Sequence, residues 1–555
     1  MTVARGIGAS LLPAAVRARL RRALRGTGAA VTGLLLVAVL GGLAVLGGGW
    51  AGGWTAGATA PGAGEPRAVA VSAAESVLVC PPPATLPEGA DVGDEQFRAT
   101  PVATASRTGV AVLGGVPDGL RTTALDGSQA AGLTQGSAAA VAQGDVTTAR
   151  VLHATPVPGV PLRAAGALAS VTTTGDLRGL AAGRCGEPAT SHWLVGGSTE
   201  VGESAQLTVQ NPSPRPATVS LEAFGPGGAV TLGGSASFVV GARAQRVVRL
   251  ESVAPGQRRL VVHVEAAGAR VVASLQGQAI EGLVPTGVDV VTPGAAPARS
   301  FVVGGVVSAG EPLDDPHAPR LRLLAPRHGG TARVGVYGPS GPVTLRGAQA
   351  MTLERGVVVD VPLGGLPAGS YTVVVDADVP VVGAARYDVR GEPPADAVVD
   401  TPPYDVAWSP GQAVSAARAS DAPVPVGQLA LPAGVRSVLT LASLPAERGP
   451  DAEPRGTTTV TVRAFAADGS ELESSEVELA AGTAVTLGSA DLGGEEPAAV
   501  TVDRTGGDAL PVAWTANVAA DDGTGTPGTL VAVLAPTPAV TAPSDVRVRR
   551  VDAGG

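Results

Sequence analysis

The sequence contains no lysine, only two cysteines and five histidines, and 3% aromatic residues. Without lysine there is no Walker A phosphate loop, which ends in Gly-Lys-Ser/Thr. So few aromatic residues argue against a glycosidase, whose two carboxylates flank a sugar about 5–9 Å apart. The segment Arg327-His328-Gly329-Gly330 is similar to an esterase oxyanion motif, but no Gly-x-Ser-x-Gly elbow accompanies it. We therefore predict no catalytic residue and no enzyme activity.

The charge balance is acidic. The net charge is −9, and once the six arginines before residue 26 are set aside, 33 basic and 48 acidic residues leave −15. Such a balance argues against nucleic acid as a partner and against adhesion to anionic lipid. The acidic pair Asp376 and Asp378 shares one strand face and is able to hold a cation, but solvated acidic turns are the alternative. We predict no metal and no cofactor.

A long uncharged stretch runs from Ala29 to Gly49. About 20 apolar residues cross the hydrocarbon core of a bilayer as a helix. Six arginines precede the stretch and no acidic residue occurs before Glu65, so the N-terminus is predicted to be cytoplasmic and the bulk extracytoplasmic. The chain is thus predicted to be a single-pass cell-membrane protein that contacts the lipid bilayer through this helix. Cleavage after Ala58-Thr59-Ala60 as a signal peptide is the alternative.

Cys80 and Cys185 both lie in the part predicted to be exported. In an oxidising compartment, an even pair of cysteines predicts a disulfide. Closing a loop of about 105 residues would stabilise the fold by about 4–5 kcal/mol in the chain-entropy account. Two free buried thiols are the alternative, and neither cysteine lies in a Cys-x-x-Cys pair that would indicate a metal site.

From about residue 68 to 540, short runs rich in Val, Leu and Thr alternate in polarity and end at Gly, Pro, Asp or Asn. This pattern predicts an all-β fold. We expect the transmembrane helix to be followed by an array of antiparallel β-sandwich repeats of immunoglobulin or fibronectin type, with a propeller-like ring of repeats as the alternative. The predicted segments are a basic cytoplasmic tail (1–28), a transmembrane signal anchor (29–50), a linker (51–67), a degenerate N-terminal β unit (68–186), repeat 1 (187–294), repeat 2 (295–400), repeat 3 (401–540) and a tail (541–555).

Three stretches share one pattern, an alternating strand that ends in an aromatic residue before a tight turn. They are 218–228 with Phe224, 332–341 with Tyr337 and 459–469 with Phe465. In the first stretch Val219, Leu221 and Ala223 fall on one face, which is predicted to face the core. The aromatic residues have the opposite parity and are predicted to be end plugs or contacts between domains. His263 alternates with valines and is expected to face away from the core. The stretch 529–540 is predicted to be a last strand that pairs with the early strand at 76–80.

Several motifs together resemble one family. They are Trp193-Leu-Val-Gly-Gly, the Asn211-Pro turn before 217–225, and the long stretch 366–386. Together with the apolar segment and Cys80, they are similar to an uncharacterised family of actinobacterial membrane-anchored secreted proteins, over about residues 70–540. The resemblance implies a cell-envelope location and transfers no catalytic, cofactor-binding or metal-binding residue.

These observations favour a non-enzymatic, membrane-tethered β-repeat protein with a structural, scaffolding or adhesion role in the cell envelope. The alternative is a binding module for a cell-wall glycan or for an envelope enzyme. A ring of repeats would bring the first and last strands together, whereas an extended rod would keep them apart.

Overall fold

The structure is a computed structural model that describes residues 67–70, 75–86, 104–114, 120–157, 161–345, 350–393, 399–414, 422–448, 453–541 and 545–548. The predicted cytoplasmic tail, the signal anchor and all but the last residue of the linker lie outside the described residues. Within the described part of the chain, no helix is long and apolar enough to span a bilayer.

The described chain is all-β, as the alternating sequence predicts. In these ranges the helical turns are the α-helix α1 (Leu250–Val253) and two 3-10 turns, Gly233–Ala236 and Ser489–Leu492. The strands up to residue 190 are β1 (Arg67–Ala70), β2 (Ser76–Val79), β3 (Ala105–Leu113), β4 (Arg121–Ala124), β5 (Thr134–Gln135), β6 (Ala139–Asp145), β7 (Arg150–Ala154), β8 (Pro161–Thr172) and β9 (Gly179–Arg184). Those of the next hundred residues are β10 (Ser191–Val195), β11 (Glu203–Asn211), β12 (Ala217–Gly225), β13 (Gly228–Val230), β14 (Ser237–Val240), β15 (Ala244–Arg249), β16 (Val261–Ala267), β17 (Val272–Glu281) and β18 (Val284–Val291).

The second half of the chain continues in the same way. Its strands up to residue 413 are β19 (Ala298–Ser308), β20 (Arg320–Leu324), β21 (Gly330–Gly338), β22 (Gly341–Val343), β23 (Met351–Leu353), β24 (Val358–Pro362), β25 (Gly369–Arg390), β26 (Tyr404–Pro410) and β27 (Gln412–Ala413). The remaining strands are β28 (Val424–Ala430), β29 (Arg436–Ser443), β30 (Thr457–Phe465), β31 (Glu471–Ala480), β32 (Thr483–Leu487), β33 (Ala499–Gly507), β34 (Val512–Ala520), β35 (Leu530–Leu534), β36 (Val540–Thr541) and β37 (Asp545–Val548).

The chain forms two compact units, one of residues 1–71 and 544–555 and the other of residues 72–543. In the first unit β1 pairs antiparallel with β37, so that Arg67 lies opposite Val548. The segment predicted to be a loose C-terminal tail therefore contains a strand. The second unit contains β2 to β36, whose ladders are all antiparallel.

The sheets of the second unit follow the order of the chain. β2, β7 and β4 form one sheet, and β8, β3 and β6 form the centre of another. The next sheets have the orders β10-β16-β12-β13 and β15-β11-β17-β18, and a nine-stranded sheet contains β19 to β27. The last two have the orders β28-β33-β30-β31 and β32-β29-β34-β35. The long strand β25 joins both parts of the nine-stranded sheet, because it pairs with β19 and β21 and also with β20 and β26.

The predicted core faces are confirmed. In β12, Val219, Leu221 and Ala223 are buried while Glu222 is exposed. These side chains share one hydrophobic core with Leu207 from β11, so the two sheets of this region pack over a common interior. The equivalent strand β30 buries its core-face valines in the same alternating way.

The aromatic residues that end the three matched strands are buried where neighbouring regions meet. Phe465 packs with Ala111 and Val141 of the N-terminal unit. Tyr337 packs with Leu444 and with other residues of repeat 3. Both contacts join residues far apart in the chain, as predicted for aromatic residues between domains.

Four edge strands, β9, β18, β26 and β35, contact one another in a closed cycle. The carboxylate of Asp405 on β26 joins all four strands. It accepts hydrogen bonds from the backbone N–H of Leu180 (2.9 Å), Val531 (2.7 Å) and Val288 (3.3 Å). A buried backbone N–H without a hydrogen-bond acceptor is costly. The Asp405 carboxylate supplies the acceptor for one N–H on each of the three other strands. A Cβ at Gly179 would lie 2.4 Å from Asp405 Oδ1, so only glycine fits at that position.

The predicted pairing of the last long strand with the strand at 76–80 is wrong. β2 pairs with β7, and β35 pairs with β34. It is β36 that returns to the N-terminal unit, where Val540 lies opposite Leu162 on β8. Both β2 and β8 are apolar strands of the same unit, and the sequence pattern does not distinguish which of them pairs with the C-terminal strand.

Candidate functional site

A cleft lies between the sheet β2-β7-β4 and the loops of repeat 1. Its floor is one face of the sheet, where His153 lies opposite Arg121 on one side and opposite Val77 on the other. Side chains along a strand alternate between the two faces. Thr123 therefore shares this face, and so does Glu75, just before β2.

The polar groups of the floor form a hydrogen-bonded chain. Glu75 Oε1 pairs with Arg121 Nη1 at 3.0 Å, and Glu75 Oε2 lies 3.2 Å from His153 Nδ1. His153 Nε2 lies 3.2 Å from Thr123 Oγ1. The order carboxylate, imidazole, hydroxyl is that of a nucleophilic triad. Here, however, Glu75 is shared with a guanidinium, and the Thr123 residue is only 5% exposed in the middle of a strand. We interpret the chain as fixing the orientation of His153 in the floor.

The walls of the cleft come from repeat 1 and add two further arginines. The cavity has a volume of about 530 Å³, which is in the range of small-molecule sites. We call it the arginine cleft; its lining residues are Glu75, Val77, Arg121, Thr123, Leu125, Gly127, Val151, His153, Pro188, Pro212, Ser213, Pro214, Arg243 and Arg270.

Asn211 holds the wall loops in place. Its side chain is fully buried, and its Nδ2 donates to the carbonyls of Arg215 (2.7 Å) and Gly241 (2.9 Å). Its Oδ1 accepts from the N–H of Ser213 at 3.0 Å. The N–H of Arg243 then donates to the carbonyl of Ser213 at 3.0 Å. The Asn-Pro turn seen in the sequence therefore positions an arginine at the cleft.

The backbone of the cleft wall is strained at Arg243. Gln129 (φ 52°) and Arg243 (φ 51°) are the non-glycine residues in the left-handed region among the described residues. Such conformations cost about 1–3 kcal/mol each and concentrate at functional sites. Gly127 lies against the second of these residues, because a Cβ there would be 3.1 Å from Arg243 Nη1. Glycine also suits its own φ of 86°. The structure thus keeps room for the Arg243 guanidinium.

A second cavity, of about 400 Å³, adjoins the arginine cleft and shares Arg243 with it. We call it the glutamine groove, because Gln206, Gln245 and Gln276 line it together with the proline segment 81–83. The side-chain amide of Gln276 binds the backbone of Thr85, two residues after this segment, through both of its polar atoms. Its Oε1 accepts from the N–H of Thr85 (3.1 Å), and its Nε2 donates to the Thr85 carbonyl (2.8 Å).

The predicted disulfide between Cys80 and Cys185 is confirmed. The two Cα atoms are 3.8 Å apart and both residues are fully buried. They pack with Leu78, Val110 and Leu168. Since the proline segment begins at the next residue, the disulfide also anchors one wall of the glutamine groove.

The other notable titratable groups are two buried carboxylates, Asp289 on β18 and Asp405 on β26, within the cycle of four strands. Burial raises the pKa of Asp405 to about 7, and burial raises that of Asp289 well above its usual value. The Asp289 carboxylate accepts from the N–H of Trp408 (2.7 Å) and Val290 (2.7 Å). Because backbone N–H groups occupy both carboxylates, we interpret the pair as structural.

The histidines singled out in the sequence lie in packed positions. His192 is buried, and its Nε2 lies 2.7 Å from the Val271 carbonyl. His263 points away from the valines of its strand, as expected, but it is buried rather than solvated. It stacks on Trp193 with ring centroids 4.0 Å apart, and its Nδ1 lies 2.9 Å from Glu222. The sequence predicted its face and missed the tryptophan that covers it.

The remaining sequence candidates are not brought together. Asp376 pairs with Arg448 at 2.9 Å, whereas Asp378 accepts from the N–H of Thr331 at 2.7 Å, so the two carboxylates have separate partners. Gly330 of the His-Gly-Gly motif enters strand β21 opposite Leu353. Among the described residues, no cluster of three metal-ligating side chains is found.

Sequence reasoning did not find the arginine cleft. Its charged residues are separated by up to 195 positions, and each one alone is an ordinary surface residue. The Asn211-Pro turn was the one signal in the sequence, and it indicates a fixed loop rather than a site.

Comparison with known proteins supports a family without an assigned activity. No match is found among curated proteins. A family model described as a family of unknown function, DUF5719, matches residues 139–490. The resemblance to an uncharacterised family is thereby confirmed, while an actinobacterial origin stays a prediction. Since the match covers more than half of the chain, the protein belongs to the DUF5719 family.

Proposed function

We propose that this protein is a non-enzymatic, membrane-tethered extracytoplasmic β-repeat protein with a structural, scaffolding or adhesion role in the cell envelope. The observation that carries the proposal is the closed cycle of β9, β18, β26 and β35 with Asp405 at its centre. A cycle in which one buried carboxylate joins strands of the N-terminal unit, repeat 1 and repeat 3 favours a rigid body. Paired sheets that share a core support repeats of the sandwich type, and the cycle supports the ring alternative over an extended rod.

The membrane tether is proposed on the arginine-rich flank and the uncharged segment 29–49. Protease added to intact cells whose wall has been removed is expected to degrade the bulk of the chain. Protection of the bulk would contradict the topology. Release into the medium with an N-terminus near Pro61 would indicate cleavage of the segment instead.

A binding module for a cell-wall glycan or an envelope enzyme is the second candidate, and the two cavities favour it. Both combine apolar proline walls with polar side chains, as ligand sites do. Sedimentation of the purified chain with isolated cell-wall polysaccharide tests this candidate, and a capture from envelope extracts tests the protein partner. If the chain stays in the supernatant and captures no protein, the binding module is refuted and the scaffold role is the proposal that stands.

A further inference from the structure

We propose that the arginine cleft binds a small phosphorylated molecule, with Arg243 and Arg270 as the groups that contact the phosphate. The inference deepens the second proposed function, the binding module, and rests on it. It does not depend on the scaffold role.

The charge of the cleft is opposite to that of the chain. Arg121, Arg243 and Arg270 face a single carboxylate, Glu75, so the lining carries +2 with His153 counted as neutral. The whole chain carries −9. A phosphate monoester carries about −1.5 to −2 at pH 7, which matches the excess positive charge.

The two wall arginines are available to a ligand. Both Arg243 and Arg270 are exposed. In the part of the chain that the structure describes, neither side chain has an ion pair with a carboxylate, whereas Arg121 is held by Glu75. Guanidinium groups form paired hydrogen bonds with phosphate oxygens, and this geometry is more specific than a single point charge.

The position of Arg243 is fixed in advance. Asn211 ties its loop to the turn of Ser213, its backbone is held at φ 51°, and Gly127 leaves room for its guanidinium. Fixing the backbone that carries this side chain before the ligand arrives lowers the entropy cost of binding. A loop that had only to cover the surface would not need a strained arginine.

The remaining lining indicates what carries the phosphate. A volume of about 530 Å³ exceeds what a phosphate ion needs. Pro188, Pro212 and Pro214 on the walls, with Val77 and Val151 on the floor, offer apolar surface. Ser213 on the wall adds a half-buried hydroxyl. Such a lining suits a sugar phosphate or a molecule of similar size better than the free ion.

The test measures binding to the full chain in detergent by titration calorimetry. The probes are inorganic phosphate, glucose 6-phosphate and acetate. Flotation compares vesicles with and without phosphatidic acid, because the predicted membrane helix would associate with either kind. We expect saturable binding of phosphate, tighter binding of glucose 6-phosphate and much weaker binding of acetate. Arg243→Gln and Arg270→Gln are each expected to weaken phosphate binding at least about tenfold, because one charged hydrogen-bonded pair is lost.

Arg463→Gln is the matched control, because this substitution removes the same charge. Arg463 is exposed on β30 and does not line the cleft. The control is expected to leave binding unchanged. A substitution at Arg243 could unfold the strained loop, whereas Arg270 has no such strain, so Arg270→Gln tests the phosphate contact independently. The circular dichroism spectrum of each variant is compared with that of the wild type. Three results would overturn the inference: no saturable phosphate binding, binding that survives both cleft variants, or acetate binding as tight as phosphate. Flotation that requires phosphatidic acid and is lost in both cleft variants, with glucose 6-phosphate bound no tighter than inorganic phosphate, would assign the phosphate to a lipid headgroup and overturn the small molecule as the ligand.

Sedimentation with cell-wall polysaccharide separates this inference from the proposed function. If the wild type sediments and phosphate does not bind, the phosphate inference fails and the binding module stands. If neither interaction occurs and nothing is captured from envelope extracts, both fail.

Discussion

Replacing Asp405 by asparagine is expected to change how the stability of the protein depends on pH. Burial raises the pKa of Asp405 from 3.8 to about 7, although hydrogen bonds from Val531 and Leu180 oppose the increase. The unfolded chain keeps the ordinary pKa, so the folded state binds the proton more tightly between these two values. The stabilisation is therefore complete below about pH 4 and is lost as the pH rises through about 7.

The size of the effect follows from the difference between the two pKa values. An increase from 3.8 to about 7 corresponds to about 4 kcal/mol of unfolding free energy lost over this pH range. Asparagine keeps one acceptor oxygen and the shape of the side chain but cannot ionise. Its amide group faces a backbone N–H, which adds a cost of about 1–3 kcal/mol that does not vary with pH. The prediction concerns the slope against pH rather than the absolute stability.

The groups around Asp405 modify this slope without reversing it. Burial also raises the pKa of Asp289, and the charge of Asp405 adds to that increase. Arg178 acts in the opposite direction on Asp405. Since Asp289 remains in the Asp405→Asn variant, the slope is expected to become smaller rather than to vanish.

Urea unfolding followed by tryptophan fluorescence between pH 5 and 8 measures the effect. The midpoint of the wild type is expected to fall with rising pH more steeply than that of Asp405→Asn. Asp388→Asn is the matched control: burial opposes ionisation of Asp388, but Arg386 and His317 hold its pKa below 3.8. Its stabilisation is lost only as the pH falls below that range, so this variant is expected to keep the slope of the wild type. Equal slopes for the wild type and Asp405→Asn would refute the reasoning.

Three further substitutions and one control test the fold. Cys185→Ser is expected to lower stability by about 2–5 kcal/mol, seen as a lower thermal midpoint; two alkylatable thiols in the unreduced wild type would contradict the bond. Val462→Asp places an unpaired charge at a fully buried position and is expected to leave little folded protein, whereas Arg463→Gln on the exposed face is expected to change stability by less than about 0.5 kcal/mol. Equal rates of limited proteolysis for these two variants would show that the faces are assigned wrongly. Arg178→Ala leaves the buried carboxylate of Asp522 without its guanidinium and is expected to cost about 3–5 kcal/mol, which an unchanged thermal midpoint would disprove.

Local pattern was sufficient to predict the strands and their faces. The side-chain period of a strand is two, so Val219, Leu221 and Ala223 were identified as core residues without any tertiary information. The disulfide was predictable for a different reason. Cys80 and Cys185 are the only cysteines, so a single pairing within the chain was available.

The alternation of side chains along a strand does not predict which of them another strand will cover. His263 does point away from its valines, but Trp193 from a neighbouring strand covers it at 4.0 Å. Likewise β36 pairs with β8 instead of β2, because the tertiary structure decides which strands come side by side.

The arginine cleft and the central cycle were decided by tertiary structure alone. Glu75, His153 and Arg243 meet because a sheet of the N-terminal unit packs against the loops of repeat 1. Asp405 receives hydrogen bonds from residues 126 and 225 positions away in the chain. The period of the hydrophobic pattern in a sequence indicates only which residues two to four positions apart share a face, so it carries no information about such distant contacts. The sequence by itself therefore determined the strands, their buried faces and the disulfide, whereas the contacts between distant strands determined the site and the closure of the fold.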